Sequence, residues 1–314
     1  MKIASIDIGT NTVILLIAEI KHNRIVTLRN EYRVPRIGKG LMYSKRISNE
    51  KITELIQILS EFNIIIKSYN CEIVLATGTN AFRIASNALE IVQSVKDKLK
   101  IQINIATSLK EAEYSFFGAL TDYYDKGNDC LIIDIGGGST ELICGSMNKI
   151  KYINSFQTGV VSGTESFFKN DPPLPSEIND FDKFLSCTFI NIDISQNVKA
   201  MAIAGTPTTL ACIQKGLHVY NEEDVEGSIL KQIDVYRLKE ELAHLSSKQI
   251  NAKYQQIVSG REDVLLAGTI ILNKLMEILN LTEVIVSTKG IRYGAIVEYM
   301  QTNYHQTANV SGRI

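Results

Sequence analysis

The pattern of apolar and polar residues is clearest in the middle of the chain, between positions 131 and 143. Apolar residues typical of a buried strand are followed by polar and glycine positions, and the apolar residues then resume. The positions between the two apolar runs are Asp134, Gly136, Gly137, Gly138, Ser139, Thr140 and Glu141. Glycines allow backbone conformations that other residues avoid, and they leave amide N–H groups open to an anion. The pattern therefore predicts two strands joined by a turn that can bind phosphate.

The two carboxylates beside this turn, Asp134 and Glu141, suit a hard cation. Mg²⁺ is commonly bound through one or two carboxylates together with phosphate oxygens. A tight hairpin with solvated acids is the alternative, because glycine-rich turns are common in proteins.

The N-terminus repeats the same pattern. An apolar run is followed by Asp7, Gly9, Thr10 and Asn11, and a second apolar run begins at Val13. Two copies of one pattern at a domain-sized spacing indicate duplicated halves. We therefore expect two turns that face each other across a cleft and bind a phosphate chain from both sides.

Further strand-to-helix turns carry candidate phosphate ligands. Arg83 follows the predicted strand 71–77, and Gly205 and Thr206 follow the predicted strand 200–204. Ligands often bind where such strands end, and the guanidinium of arginine matches phosphate geometry. The alternative for Arg83 is a solvated helix face, which is the usual location of a lone arginine. Arg261 opens a predicted helix running from 259 to 279, where it could bind phosphate or pair with Asp263.

Composition bounds the class of protein. The chain has 314 residues, a net charge of −1 and 45% hydrophobic residues, which is typical of a globular protein with room for two domains. This charge argues against a long nucleic acid as partner. No signal segment or membrane-length apolar run is visible, and the odd number of scattered cysteines fits reduced thiols, so we expect a cytoplasmic protein with no membrane partner.

These motifs resemble those of the exopolyphosphatase and guanosine pentaphosphate phosphatase family, within the superfamily of acetate and sugar kinases, heat-shock chaperone ATPases and actin. The resemblance implies an α/β fold with two ribonuclease H-like (actin-like ATPase) domains, each a mixed five-stranded sheet flanked by helices, with an interdomain cleft. It implies domains at 1–123 and 124–294, with a polar link at 123–128, a C-terminal helix at 295–314 that completes the first domain, and a homodimer.

The resemblance also implies roles for individual residues. Glu111, near the start of a predicted helix 109–120, matches the catalytic base of the family, although carboxylates at such a position commonly serve the helix dipole. Two departures surround it, because Lys110 replaces a first acid and Glu113 replaces a common arginine. Glu141 is the other candidate base, and an arginine of the second domain, Arg261 or Arg292, is expected to contact phosphate.

The resemblance finally implies a reaction. The expected activity is hydrolysis of the terminal phosphoanhydride of inorganic polyphosphate, of the 5′-γ-phosphate of guanosine pentaphosphate, or of both, with Mg²⁺ or alternatively Mn²⁺. The metal ligands are expected to be Asp134, Glu141 and Asp7. A small-metabolite kinase of the same fold and a non-catalytic sensor of guanosine tetraphosphate or another nucleotide remain as alternatives.

Overall fold

The computed structural model describes residues 1–122, 128–147, 149–194 and 198–310, with side chains described as far as residue 303. The chain divides into two compact units, Met1–Tyr124 with Lys289–Ile314 and Asp125–Thr288, which we call the first and second domains. The chain therefore returns to the first domain at Lys289, whereas the resemblance implied a return at 295. The predicted link at 123–128 lies outside the described residues except for Asn128, and the expected cleft stays a prediction.

Two mixed sheets form the centres of the domains. The strands of the first domain are β1 (Lys2–Ile8), β2 (Val13–Lys21), β3 (Arg24–Arg33), β4 (Ile73–Gly78) and β5 (Ile103–Ile105). Those of the second domain are β6 (Cys130–Ile135), β7 (Thr140–Ser146), β8 (Lys149–Phe156), β9 (Lys199–Ile203), β10 (Ile229–Lys231) and β11 (Glu283–Val286).

Helices flank both sheets. In the first domain they are α1 (Leu41–Ser44), α2 (Asn49–Ser68), α3 (Asn80–Ile84), α4 (Ala88–Leu99), α5 (Ser108–Ala119) and, at the end of the chain, α13 (Ile291–Val310). In the second domain they are α6 (Val160–Phe167), α7 (Pro175–Thr188), α8 (Gly205–Gln214), α9 (Glu222–Val225), α10 (Gln232–Ala243), α11 (Ser247–Tyr254) and α12 (Leu265–Ile278), with a 3₁₀ turn at Gln255–Val258.

The strand order repeats between the domains, with one addition. The first sheet has the order β3-β2-β1-β4-β5, and the second has β10-β11-β9-β6-β7-β8. The mixed α/β architecture is confirmed, but the second sheet has six strands instead of the expected five. The extra strand β10 has three residues and pairs antiparallel with β11, and so short a segment carries too little alternation to be predicted.

The central strands are mostly apolar because they are buried. Every residue of β6 is buried, whereas the edge strand β3 is half-buried or exposed throughout. A strand covered by helices on both faces needs apolar side chains on both faces. Within the described residues no helix is both long enough and apolar enough to span a lipid bilayer.

Helix α13 belongs to the core of the first domain. Tyr293 and Ile296 are almost fully buried and pack in one apolar cluster with Ile3 of β1 and Leu16 of β2. The C-terminal helix thus covers one face of the first sheet, and its residues lie within reach of the helix that carries Glu111.

Candidate functional site

The two glycine turns predicted from the repeated pattern have the same backbone geometry. Gly9 N donates to Thr12 O at 2.9 Å in the turn between β1 and β2. Gly136 N donates to Ser139 O at 2.9 Å in the turn between β6 and β7. A Cβ atom on Gly9 would lie 3.2 Å from Thr12 O, and one on Gly136 would lie 3.1 Å from Ser139 O. The repeated sequence pattern is therefore a repeated structural element.

A following segment closes on each turn. In the first domain, Gly38 N donates to Thr10 O at 2.9 Å, and in the second domain Val160 N donates to Gly136 O at 3.0 Å. The backbones approach each other more closely in the second domain, where a Cβ atom on Gly159 would lie only 2.7 Å from the backbone nitrogen of Gly138. Glycine is required at position 159 because the two backbones are in close contact. In each domain the following segment therefore stabilises the conformation of the glycine turn.

The side chains of the two turns differ in one central respect. Asp134 of β6 and Glu141 of β7 are direct partners in an antiparallel pair, so their side chains lie on the same face of the sheet. They are 7% and 1% exposed, and Glu141 accepts a hydrogen bond from Ser155 Oγ at 2.7 Å. In the first domain the partner of Asp7 is Ile14. The carboxylate pair thus belongs to the second turn.

The pair of carboxylates fits a hard divalent cation. Two buried carboxylates side by side repel each other, and a cation that neutralises both relieves this cost. Among the described residues no group of three or more His, Cys, Asp or Glu side chains is arranged to hold a metal ion. Asp134 and Glu141 could hold Mg²⁺ if water and phosphate oxygens complete its ligands, whereas the expected ligand role of Asp7 stays a prediction.

Hydroxyl and amide side chains of the turns are also buried. The exposed fractions of Thr10, Asn11, Ser139 and Thr140 range from 0% to 8%. Thr140 Oγ1 donates to Thr158 O at 2.7 Å, so this hydroxyl stabilises the backbone behind its own turn. That Thr140 also binds phosphate stays a prediction.

Arg83 and Glu111 form an ion pair in the first domain. Strand β4 runs parallel to β1, so α3, which carries Arg83, begins at the edge where the first glycine turn lies. Arg83 Nη1 donates to Glu111 Oε2 and, at 3.1 Å, to Ala106 O. The side chains are 18% and 8% exposed. The structure thus joins the predicted phosphate ligand and the predicted base, which the sequence patterns treated separately.

Helix α5 places Glu111 through its N-terminal cap. Thr107 Oγ1 accepts a hydrogen bond from Lys110 N at 3.2 Å, and Glu111 N donates to Thr107 O at 2.9 Å. Glu111 therefore lies in the first turn of α5, where the helix dipole favours a carboxylate. The dipole role and a catalytic role are compatible at this position.

The residue before Glu111 contacts the C-terminal helix. Lys110 Nζ pairs with Glu298 Oε1 of α13 and, at 3.0 Å, with Glu113 Oε2. Tyr114 OH donates to Glu298 Oε2 at 2.6 Å. Sequence analysis did not identify Glu298 or Tyr114, because a contact between residues 188 positions apart leaves no local pattern. Lys110 and Glu113, the two residues that differ from the family pattern, thus form an ion pair with each other.

The ionisation of this group follows from its contacts. Burial lowers the pKa of Lys110, but its hydrogen bonds with Glu298 and Glu113 outweigh that effect and raise the pKa. Burial raises the pKa of Glu298, but the hydrogen bonds from Lys110 and Tyr114 outweigh it and lower the pKa. Burial and the neighbouring Glu298 both raise the pKa of Tyr114. At neutral pH the group therefore consists of a cation, a carboxylate and a neutral phenol.

Arg261 lies beside the predicted second phosphate turn of the second domain. A Cβ atom on Gly205, the first residue of α8, would lie 2.5 Å from Arg261 Cζ, so the guanidinium packs directly on the turn next to Thr206. The predicted helix from 259 to 279 is wrong at its start, because α12 begins at Leu265 and Arg261 lies in the preceding turns. A side chain at position 205 would displace the Arg261 guanidinium, so glycine is needed there for this contact.

Arg292 does not lie where the sequence analysis placed it. It belongs to the first domain and to the first turn of α13, so its assignment to the second domain is wrong. Arg292 Nη2 donates to Tyr32 OH at 3.0 Å, and the guanidinium lies 5.4 Å from the ring centroids of both Tyr32 and Tyr293. These contacts serve the packing of α13, and they leave Arg261 as the better phosphate candidate of the two.

Comparisons with known proteins point to one family. The model of the Ppx/GppA phosphatase family matches residues 16–303. A bifunctional 3-dehydroquinate synthase/phosphatase of Fusobacterium nucleatum is 30% identical over 314 residues, covering 94% of this chain and 46% of the relative. The chain thus spans about half the length of that protein. Exopolyphosphatase 2 of Mycobacterium tuberculosis is 26% identical over 287 residues, covering 87% of this chain and 89% of the relative.

Solved structures agree with this match. A Ppx/GppA family member from Aquifex aeolicus has a TM-score of 0.83 at 30% identity, covering 96% of this chain and 98% of its own. An exopolyphosphatase from Cytophaga hutchinsonii has a TM-score of 0.87 at 26% identity, with coverages of 96% and 98%.

Proposed function

The chain belongs to the Ppx/GppA phosphatase family, and from this premise we propose that it hydrolyses terminal phosphoanhydrides. The substrate is inorganic polyphosphate, guanosine pentaphosphate at its 5′-γ-phosphate, or both. The observation that carries the proposal is the buried pair of Asp134 and Glu141 beside a glycine turn. Such a pair combines sites for a divalent cation and for phosphate oxygens, which phosphoryl transfer requires.

A divalent metal is used by exopolyphosphatases of this family, and we assign it to Asp134 and Glu141, as Mg²⁺ with Mn²⁺ as the alternative. When bound, the ion would neutralise charge on phosphate oxygens and polarise the scissile phosphorus–oxygen bond. Asp7 has an apolar partner, Ile14, so we assign it to the phosphate-binding turn of the first domain and not to the metal.

Backbone amides of the two turns bind the phosphate oxygens in this proposal. Their donors are the N–H groups around Gly9, Thr10 and Asn11 and around Gly136, Gly137, Gly138 and Ser139. Arg83 and Arg261 neutralise the phosphoryl charge, because a guanidinium has five N–H donors and can serve a carboxylate or carbonyl and a phosphate together. Gly205 and Thr206 accompany Arg261 at the N-terminus of α8, where a helix favours an anion.

Glu111 is the proposed general base. It orients the attacking water and accepts its proton, while the ion pair with Arg83 holds the carboxylate in one orientation. The other candidate, Glu141, already accepts from Ser155 and is paired with Asp134. Glu141 is assigned to the metal ion together with Asp134 in this proposal, and Glu111 is therefore the carboxylate assigned to the water.

Phosphate release tests the proposal directly. Wild-type protein is incubated with long-chain polyphosphate or guanosine pentaphosphate, with Mg²⁺ or with a chelator in excess. We expect release from at least one substrate with Mg²⁺ and loss of release with the chelator. No release from either substrate by folded protein would overturn the proposal. ATP-dependent phosphorylation of a small metabolite would then support the kinase, and tight nucleotide binding without turnover would support the sensor.

A further inference from the structure

We propose that Glu298 of α13 is a positioning residue for Glu111, acting through Lys110 and Tyr114 of α5. The inference rests on the proposed function, in which Glu111 activates the water. It assigns a role in catalysis to the C-terminal helix, in addition to its packing in the first domain.

The first observation is that one carboxylate holds two successive turns of α5. Glu298 Oε1 pairs with Lys110 Nζ, and Glu298 Oε2 accepts from Tyr114 OH at 2.6 Å. Lys110 and Tyr114 are four residues apart and therefore lie on one face of the helix. Lys110 directly precedes Glu111, so the anchored residue and the proposed base share the first turn.

The second observation is that the backbones of α5 and α13 touch on the same side. A Cβ atom on Gly118 would lie 2.7 Å from the carbonyl carbon of Gly290, and one on Gly294 would lie 2.5 Å from that of Tyr114. Contacts this close leave little room for the helices to slide. Glu298 therefore acts on a helix whose distance from α13 is already set, and it controls the orientation of the first turn.

The third observation is that Glu111 is held from α3 at the same time. Its carboxylate pairs with Arg83, which also donates to Ala106 O. If the contacts with Glu298 are lost, the first turn of α5 can shift while Arg83 stays in place. A misplacement of about 1 Å at a catalytic group can lower the rate by about a hundredfold, so a smaller shift is expected to lower kcat measurably.

The ionisation states keep this anchor intact across the neutral range. The pKa of Lys110 is raised, so its contribution to stability is present below its unfolded-state pKa and is lost only as pH rises through the folded pKa. The pKa of Glu298 is lowered, so its contribution is present above its unfolded-state pKa and is lost as pH falls through the folded pKa. The pH dependence of kcat near neutrality should therefore reflect other groups.

The second domain offers a matched control. Lys274 of α12 pairs with Asp182 of α7 at 2.8 Å and with Glu277, three residues along its own helix, at 3.3 Å. The arrangement is the same as that of Lys110, Glu298 and Glu113. None of these three residues has been placed in the proposed site, so Asp182→Asn removes an equivalent helix–helix ion pair without touching the catalytic groups.

The experiment compares Glu298→Gln with Asp182→Asn in the full-length chain, measuring kcat, KM and thermal midpoint with the substrate that the wild type hydrolyses. We expect Glu298→Gln to lower kcat about tenfold with KM unchanged within about twofold, because an orientation is lost and not a binding contact. Asp182→Asn should leave both constants unchanged within about twofold, although it too loses an interhelical ion pair.

Three further variants test whether the effect of Glu298 on kcat acts through Lys110. Lys110→Met should lower kcat as much as Glu298→Gln does, and Lys110→Arg should retain most of the wild-type kcat. The double variant Lys110→Met with Glu298→Gln should lower kcat by no more than about twice the larger single reduction, since both changes break the same contact. If Glu298→Gln does not fold, the Lys110 variants carry the same comparison. Wild-type kcat in Glu298→Gln or Lys110→Met, or an equal loss in Asp182→Asn, would overturn this inference alone. A wild type without phosphate release would overturn the proposed function and this inference with it.

Discussion

The glycine turns of the first and second domains share a backbone and differ in their side chains. Each turn is closed by an equivalent hydrogen bond of 2.9 Å, between Gly9 and Thr12 and between Gly136 and Ser139. Opposite the aspartate that both turns have, however, the first domain has Ile14 and the second has Glu141. A duplicated backbone thus supports two different sites.

In the proposed function, this difference gives the two turns different parts of one reaction. The second turn places two carboxylates together, which suits a cation. The first turn lies beside α3, which carries Arg83, and Arg83 forms an ion pair with the proposed base Glu111 of α5. In the proposed function the second domain therefore supplies the metal site, and the first supplies the base.

The largest expected effect separates the two candidate bases. We expect Glu111→Gln to lower phosphate release by about 10²- to 10⁴-fold, because the amide cannot accept a proton. Glu141→Gln should also lower release, but by weakening the metal site. Raising the Mg²⁺ concentration should therefore restore part of the activity of Glu141→Gln and none of that of Glu111→Gln.

Glu90→Gln is the control for this comparison. Glu90 lies in the first turn of α4, as Glu111 lies in the first turn of α5, but its side chain is 74% exposed. Its replacement should change release by less than about twofold, since removing an exposed charge has a small effect. Recovery of Glu111→Gln at high Mg²⁺ would assign the base to Glu141.

A smaller effect concerns the segments that close on the turns. Gly159→Ala would bring a Cβ atom against the backbone of the second turn, whereas Gly38→Ala would meet mainly the side chain of Thr10. We expect Gly159→Ala to destabilise its domain by about 1–3 kcal/mol, as overpacking does, and Gly38→Ala by less because a side chain can rotate away. Hydrogen exchange of peptides covering 130–146 and 2–21 measures each turn separately. Equal destabilisation by the two changes would mean that the turns are held alike.

Local sequence patterns predict the two glycine turns, but they do not predict contacts between residues that are distant in the sequence. The repeated acidic glycine pattern correctly predicted both hairpins, and the family membership implied by the motifs is confirmed by the match to residues 16–303. The phosphoanhydride-hydrolase class is confirmed at the level of that family. The role of each site residue stays a prediction, since the fold alone does not establish function.

The errors have physical causes. Arg292 was assigned to the wrong domain because the chain returns to the first domain at Lys289, and the aromatic rings that surround its guanidinium come from both β3 and α13. The start of α12 was misplaced because glycine and charged residues at 260–263 are compatible with a helix start or with turns. The contact of Glu298 with Lys110 joins the two ends of the first domain, and the sequence near either residue contains no sign of it.

Metal affinity tests the central difference between the turns most directly. Mn²⁺ serves as the probe, and its free concentration is followed by electron paramagnetic resonance for wild type, Asp134→Asn, Glu141→Gln and Asp7→Asn. We expect the two second-domain variants to weaken binding by about tenfold or more, because each loses one of two carboxylate ligands, and Asp7→Asn to change it by less than about threefold. Weakening by Asp7→Asn as large as that by Asp134→Asn would contradict the account, since the metal would then depend equally on both turns.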